Sequence, residues 1–298
     1  VTYETGLMEH LYPTQAAVYA EFNNDGWLDI YFGNETRRDT EKYPCELFLS
    51  DGKGKFKNVA KEAGADILCF AKGVAASDYN NDGYMDICIS SQGTENILLR
   101  NDTGKNSGKI KFTDVTKEAG VGLPIKSFPV AFLDFNNDGW QDLTIQTYDA
   151  ENCDYDNAAE YFNKPVKGEY SILYKNNGDG TFTDITKEMN MQVAMTVMGL
   201  SFGDLDNDGW MDIYSGTGTP NYTSLVPKRM FRNNEGKSYQ DITHSGGFGH
   251  LQKGHGIGFG DVDNDGDQDV YEDMGGGYEG DGFQGAFYEN PGISGNNW

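Results

Sequence analysis

The sequence predicts an all-β chain assembled from repeated four-stranded antiparallel units. Three observations carry that prediction. An acidic nine-residue stretch occurs five times, as EFNNDGWLD (21–29), DYNNDGYMD (78–86), DFNNDGWQD (134–142), DLDNDGWMD (204–212) and DVDNDGDQD (261–269). The starts lie 57, 56, 70 and 57 residues apart, and a repeating period of that size marks a repeat architecture. Every copy also has the same kind of flanks: small and apolar residues before it (GVAAS, PVAFL, GLSFG, GIGFG) and an alternating run after it (IYFGN, ICISS, LTIQT, IYSGT, VYEDM).

The two flanks read as short strands joined by the acidic loop. A second pair of strands follows, seen in ELFLSDGKGKFKNV (46–59), SILYKNNGDGTFTDI (171–185) and RMFRNNEGKSYQDI (229–242), each a hairpin with Gly, Asn or Asp near its tip. The second repeat carries a longer version, NILLRNDTGKNSGKIKFTDV (96–115). Four antiparallel strands per repeat describe one blade of a β-propeller. Small residues in the first strand suit the crowded axis of such a ring. Five loops make five blades the economical count, in a single domain over residues 1–298. The last repeat ends in GAFYENPG without a fourth strand, while VTYETGL at the N-terminus resembles VTKEAGV (115–121), from the fourth strand of the second repeat. The expectation is that an N-terminal strand completes the last blade and closes the ring. The rival arrangement is a fragment of a larger ring.

In each acidic stretch, positions 1, 3, 5 and 9 carry oxygen-bearing side chains and position 6 is always Gly. Oxygen ligands suit a hard cation such as Ca²⁺, which takes about 6–8 of them, and Gly permits the tight turn. Position 7 varies freely, as expected of a residue that lends only its backbone carbonyl. The predicted ligands are Glu21, Asn23, Asp25, Trp27 and Asp29; Asp78, Asn80, Asp82, Tyr84 and Asp86; Asp134, Asn136, Asp138, Trp140 and Asp142; Asp204, Asp206, Asp208, Trp210 and Asp212; Asp261, Asp263, Asp265, Asp267 and Asp269. The first half copies an EF-hand loop. The second half does not, because the EF-hand Glu at position 12 is replaced by Phe32, Ile89, Ile145 and Ser215, with Glu272 alone conforming. The last ligand is therefore the Asp at position 9. One copy would read as a self-capped Asx turn. Five copies favour metal, since clustered carboxylates raise one another's pKa unless a cation sits among them. Mg²⁺ fits less well, because it keeps its waters. Glu21 is longer than Asp, so the first site is expected to be the weakest. Five Ca²⁺ ions would move the formal charge from −24 towards about −14.

That charge, from 47 acidic and 23 basic residues, disfavours nucleic acid or an anionic membrane as partner. Hydrophobic residues at 37% supply a core, so the acidity is not that of a disordered chain. No apolar run approaches the roughly 20 residues that cross a bilayer. The chain starts at Val1, which reads as a mature or trimmed product. Cys45, Cys69, Cys88 and Cys153 have no CxxC spacing, and buried thiols and one disulfide are equally open.

The loop pattern D-x-[DN]-x-D-G-x-x-D between short strands, followed by LYKNNGDGTFTDIT (173–186), resembles the FG-GAP/VCBS repeats of extracellular β-propellers. The stretch from RMFRNN (229–234) through GHGIGFGDVDNDGDQDVYEDM (254–274) to NPGISGNNW (290–298) is similar to the propeller of the ASPIC/UnbV (cartilage acidic protein-like) family. In that family an ASPIC/UnbV domain usually begins around the NPG…NNW stretch, and this sequence stops there. The resemblance implies calcium loops and export to the cell surface or beyond, and it implies no reaction.

Other features could serve a partner. An acidic, Tyr-rich insertion (148–170) accounts for the longest interval, and GGGYEGDGFQG (275–285) reads as a flexible loop. His250 and His255 flank Lys253, a pair that could bind a metal or exchange protons but is better read as packing. Trp27, Trp140 and Trp210 could stack on sugars, or pack between blades, which is preferred. Sequons lie at Asn34, Asn101 and Asn221. Together these favour an extracellular, calcium-binding, non-catalytic module for binding, adhesion or self-assembly, with a protein, a glycan or its own copies as partner. The alternative is a polysaccharide-acting lyase or glycosidase on the same scaffold, which would need a catalytic cluster away from the calcium loops.

Overall fold

Each acidic stretch joins two antiparallel strands, and a hairpin extends each pair into a sheet. The computed structural model describes residues 2–8, 10–37, 41–221, 224–275 and 282–292. The first sheet holds β1 (Thr14–Ala20), β2 (Asp29–Asn34), β3 (Glu46–Ser50) and β4 (Phe56–Asn58) in chain order. The second holds β5 (Ala71–Ser77), β6 (Asp86–Ser91), β7 (Ile97–Asn101) and β8 (Phe112–Asp114). The third is β9 (Ser127–Leu133), β10 (Asp142–Thr147), β11 (Ile172–Asn176) and β12 (Phe182–Asp184). The fourth is β13 (Val197–Gly203), β14 (Asp212–Thr217), β15 (Arg229–Asn233) and β16 (Tyr239–Asp241). The fifth has three strands among the described residues, β17 (Gly254–Gly260), β18 (Asp269–Met274) and β19 (Ala286–Tyr288). Five antiparallel sheets, one per acidic loop, are what the repeat predicts.

Register fixes the loop. Ala20 pairs with Asp29, Ser77 with Asp86, Gly203 with Asp212 and Gly260 with Asp269. Position 9 is thus the first residue of the second strand, opposite the residue just before position 1. Every residue of β6, β10 and β14 is buried, so both faces of these second strands are packed. First strands are rich in small residues because neighbours come close. A Cβ at Gly73 would run into the carbonyl of Phe128, and one at Gly199 into that of His255.

The described residues fall into two compact units. One comprises Val1–Phe132, Trp140–Ile145 and Tyr174–Asp184; the other Leu133–Gly139, Gln146–Leu173 and Ile185–Trp298. Within the first, β5 packs on β1 and β2, and Phe22, Tyr31, Leu47, Ile87, Leu99 and Phe112 share a core. Within the second, β17 packs on β13 and β14. One core there gathers Leu133, Phe135, Met195, Ile213 and Phe231, and another Leu205, Tyr214, Met230, Phe248 and Val270. Full burial of Leu- and Phe-sized side chains contributes about 1.5–3 kcal/mol each.

The predicted N-terminal strand is not found. Thr2–Thr5 forms one helical turn, α1, and the described part of the fifth sheet gains no strand from it. The likeness of residues 1–7 to 115–121 is nevertheless structural. Two further turns follow fourth strands, α2 (Ala60–Ala63) and α3 (Thr116–Ala119), and each ends on a left-handed Gly, Gly64 or Gly120. Gly6 has the same backbone form, with φ 87°. These three glycines sit against the carbonyls of Phe56, Phe112 and Phe182, each the first residue of a fourth strand in the next sheet. The shared sequence therefore encodes the turn after a fourth strand and not the strand itself.

The 148–170 insertion contains a further helix, α4 (Cys153–Tyr161). Buried Asp156 tethers its return, accepting from the backbone N–H of Lys167 (2.7 Å) and Gly168 (2.9 Å). No helix among the described residues is long and apolar enough to cross a membrane.

Candidate metal-binding loops

The five loops share one backbone design. In the fourth, the N–H of Asp208 donates to Asp204 Oδ1 (3.0 Å), that of Gly209 to Asp204 Oδ2 (2.9 Å), and that of Trp210 to Asp208 Oδ1 (3.0 Å). The fifth repeats this with Asp265 and Gly266 on Asp261 (both 3.1 Å) and Asp267 on Asp265 (3.2 Å). In the second and third, Asp78 and Asp134 receive the same pair of N–H groups. Glu21 does so in the first loop, reaching the N–H of Asp25 (3.0 Å) and that of Gly26. The turn is curled by its own acids, and the side chains at positions 1, 3 and 5 are drawn together. Oxygens of Asp204, Asp206 and Asp208 lie within 4.8 Å of one another, as do those of Asp261, Asp263 and Asp265. The first three loops place Asn23, Asn80 or Asn136 at position 3, where the amide oxygen accepts from the N–H at position 5.

Position 9 does more than the sequence suggests. Asp29, Asp86, Asp142, Asp212 and Asp269 are all buried. Asp212 Oδ2 accepts from the N–H of Leu205 (2.9 Å) and Oδ1 from that of Asn233 in β15 (2.7 Å). Asp29, Asp86 and Asp269 have the same two contacts, and Asp142 Oδ1 likewise accepts from the N–H of Asn176. This carboxylate clamps the start of the loop to the third strand. Burial is the main force pushing it up, to about 6 for Asp29, about 8 for Asp86 and about 7 for Asp212, with the loop's other acids adding to the rise.

The position 7 rings bear on a further expectation. Trp27, Tyr84, Trp140 and Trp210 occupy the space where a Cβ on Gly52, Gly104, Gly178 or Gly236 would go. Each ring therefore lies against the hairpin of its own sheet, and Trp27 remains half-exposed. Asp267 lies near Gly292 in the corresponding place. Glu272, the sole glutamate at position 12, turns away from its loop. It is wholly buried beside Lys228, with Nζ 3.6 Å from Oε1, and accepts from the Tyr214 hydroxyl (3.0 Å).

Two sets of asparagines had no assigned role in the sequence. At position 4, Asn24, Asn81, Asn137, Asn207 and Asn264 all have positive φ, between 53° and 62°. Their side chains link loops: Asn24 Nδ2 donates to the Gly83 carbonyl (2.9 Å), Asn137 to Gly209 (3.0 Å) and Asn207 to Gly266 (3.1 Å). At the end of the third strand, Asn101, Asn176, Asn233 and Asn290 donate to the position 2 carbonyl of the preceding loop, at Phe22, Tyr79, Phe135 and Leu205 (each 2.8 Å). Each also donates to a position 8 carbonyl of its own loop, at Met85, Gln141, Met211 or Gln268. The [DN]-N-D-G pattern and the [KRE]-N pattern at the third strand were the available signals for the two sets.

The other expected sites are mostly structural. Asn34 and Asn101 are wholly buried and hydrogen-bonded, so neither sequon offers a glycan acceptor in this fold. Asn221 is exposed, but Tyr222 and Thr223 lie outside the described residues. His250 packs edge-on against Tyr288, while Lys253 is buried and His255 belongs to β17. Residues 276–281 of the expected loop at 275–285 lie outside the described residues, as do 293–298 of the NPG…NNW stretch. The insertion does shape a cleft of about 620 Å³ beneath α4, lined by Asp154, Asn157, Glu160, Tyr161, Arg229 and His244 among others. Arg229 bridges Glu160 (3.4 Å) and Asp241 (3.1 Å), and Tyr161 and Phe162 stand exposed at the rim in an edge-to-face pair.

Comparison with known proteins agrees with the repeat. The FG-GAP-like repeat profile matches residues 21–89, 78–145 and 166–215. The first two matches each run from one acidic loop into the strand after the next. Cartilage acidic protein 1 of Homo sapiens is 28% identical over 204 residues, and that of Xenopus tropicalis 26% over 205. These matches cover 66% of this chain but 28% of either relative, so the chain spans well under half the length of the proteins it matches. Among solved structures, an Agrocybe aegerita lectin described as recognising non-reducing terminal N-acetylglucosamine aligns with a TM-score of 0.45, at 17% identity over 95% of this chain and 69% of that one. The V. cholerae biofilm matrix protein Bap1 aligns with a TM-score of 0.47, at 12% identity over 90% of this chain and 36% of that one.

Proposed function

Because the chain belongs to the family of FG-GAP-like repeat proteins, we propose that it is a calcium-stabilised β-propeller of five blades, one domain over residues 1–298, that works outside the cell as a non-catalytic binding, adhesion or self-assembly module. The observation that carries this reading is the convergence of Asp204, Asp206 and Asp208, and of Asp261, Asp263 and Asp265, within 4.8 Å. Three carboxylates so close repel one another, and a hard divalent cation removes that cost.

The donor set fits calcium. It is made of oxygens only, and Asp206 Oδ1 is buried with no hydrogen-bond partner, leaving a lone acceptor beside the cluster. Positions 1, 3 and 5 would supply side-chain oxygens, position 7 a carbonyl and position 9 its clamped carboxylate. The Ca²⁺ supplies countercharge and rigidity to the loops, and no chemical step is asked of it. Millimolar calcium outside cells suffices for sites of moderate affinity, which supports the extracellular reading.

A partner needs a surface other than these loops. The cleft under α4 supports a role in binding, since it sits on an insertion and joins exposed aromatics to polar side chains. A neutral glycan, a protein or a second copy of the chain would each suit it.

Thermal melting tests the calcium role. Millimolar Ca²⁺ should raise the melting temperature by about 10 °C or more over EGTA, because a ligand of the folded state stabilises it by mass action. Equal melting in both would overturn the proposal. Binding to an immobilised glycan panel, compared with light scattering for self-association, separates the partner classes, and Tyr161→Ala should weaken whichever response is real.

A further inference from the structure

We propose that Cys45 and Cys69 are the two halves of a disulfide that seals the first sheet to the segment leading into the second. The fold brings together the two segments that carry them. The N–H of Cys45 donates to the Ile67 carbonyl (2.9 Å), and that of Thr36 to the Cys69 carbonyl (2.9 Å). Glu35 and Phe70 form an antiparallel bridge next to them. The Tyr31 hydroxyl closes the same neighbourhood by donating to the Ala65 carbonyl (2.8 Å). Both cysteines are buried in one core cluster, and each thiol perturbs the other's titration, Cys45 downward and Cys69 upward.

The other two cysteines have different surroundings. Cys88 is wholly buried, and burial alone pushes its thiol up to about 12. Cys153 contacts the Ala150 carbonyl (3.5 Å), Asp154 (3.6 Å) and Ser224 Oγ (3.7 Å). Of the three pairings that four cysteines allow, the one containing Cys45–Cys69 is singled out.

The chemistry needs a disulfide donor, for which oxidised glutathione is the probe. Cys69 is the sulfur a donor meets first, because it keeps 6% exposure where Cys45 has none, and it lines a cleft of about 690 Å³ with Leu68, Phe70 and Thr94. Its thiol loses a proton to solvent and attacks the glutathione S–S bond, forming a mixed disulfide and expelling one glutathione thiolate. Cys45, deprotonated in turn, attacks the protein sulfur of that mixed disulfide and expels the second. Two protons leave the protein and two electrons pass to glutathione. Cys45 suits the resolving role because it is wholly buried in the same core cluster, out of reach of a second glutathione.

Closure in nature rests on the extracellular reading, but the pairing does not. Reduced, folded protein should be incubated with oxidised glutathione, denatured with N-ethylmaleimide present, and mapped by mass spectrometry without reductant. The expected result is a Cys45–Cys69 linked peptide about 2 Da lighter than the sum of its halves, with Cys88 and Cys153 alkylated. Closure should raise the melting temperature by about 5–10 °C, and Cys69→Ser should abolish both the linkage and the rise. Recovery of Cys45 and Cys69 as separate alkylated peptides would overturn the proposal. A pair that closes in this assay but is alkylated in protein taken directly from its natural source supports the pairing and overturns the extracellular reading.

Discussion

The side-chain amide of Asn207 donates to the carbonyl of Gly266 across 3.1 Å, so the fourth and fifth acidic loops are hydrogen-bonded to each other through a residue that is no cation ligand. Asn207 also carries the positive φ that lets the loop curl. The two tasks can be separated. Asn207→Gly keeps the backbone form and removes the amide, while Asn207→Ala removes the amide and adds backbone strain of about 1 kcal/mol. Calcium titration by calorimetry should show weaker binding at two sites in either variant, about threefold in the Gly form and more in the Ala form. An Asn207→Gly protein with wild-type binding isotherms would show that the loops bind independently.

Asn233 offers a second test. Its amide serves the Phe135 carbonyl (2.8 Å) and the Met211 carbonyl (3.2 Å), and the latter also receives the Tyr239 hydroxyl (3.0 Å). Asn233→Ala therefore removes the amide donor from the buried Phe135 carbonyl, at a cost of about 1–3 kcal/mol. Urea unfolding in saturating calcium should report that loss. Ser50→Ala, at the equivalent place in the first sheet, should cost less, because Ser50 has no amide and its Oγ accepts the Gly52 N–H at 3.2 Å. Equal midpoints for Asn233→Ala and wild type would remove the asparagine from the list of supports.

Lys228 and Glu272 predict a pH effect. Burial pushes the Glu272 carboxyl up to about 7 from an ordinary 4.5, against the lowering influence of Lys228 and the Tyr214 hydroxyl. Lys228 is lowered, again chiefly by burial. A raised carboxyl binds its proton more tightly in the folded state. Its contribution is full below about 4.5 and is lost as pH rises through about 7, on the order of 3 kcal/mol for a shift of this size. In saturating calcium, wild-type stability should fall between pH 5 and about 7.5 relative to Glu272→Gln, which cannot ionise. Parallel profiles for the two proteins would place the titrating group elsewhere.

Glu21 predicts a graded metal site. Its longer side chain reaches the same two N–H groups as the aspartates of the other loops. Shortening it in Glu21→Asp restores the common geometry and should tighten one calcium site by about threefold to tenfold, since ligand placement and rigidity tune affinity. An unchanged isotherm would mean that the extra methylene is absorbed without cost.

The legible part of this fold was the part written by repetition. Period-2 strands and acid spacing in the loops each restate one local rule five times and hairpin tips four times, and Asp204, Asp206 and Asp208 converge as that spacing implies. What was hidden depends on neighbours. Asp212 reads as a ligand from spacing, but its anchoring to Leu205 and Asn233 is visible only once β15 lies beside β14. Trp27 reads as a platform or a wedge, and only the fold sets Gly52 beneath its ring. Residues 1–7 matched 115–121 correctly, yet the element they share is a helical turn, because Glu and Ala favour helix where a left-handed Gly ends it. α4 was missed because its apolar pattern is weak and its hold on the fold comes from Asp156 reaching across to Gly168.

The third-strand asparagines have a direction. Each reaches back to the loop written before it, from Asn101 to Phe22, from Asn176 to Tyr79, from Asn233 to Phe135 and from Asn290 to Leu205. The first sheet has Ser50 instead, with no amide to extend. A nascent chain of such repeats can thus check each finished loop as soon as the next third strand arrives, with no later sheet required. Damage to one loop would therefore be felt in the third strand of its successor, not in that of its predecessor.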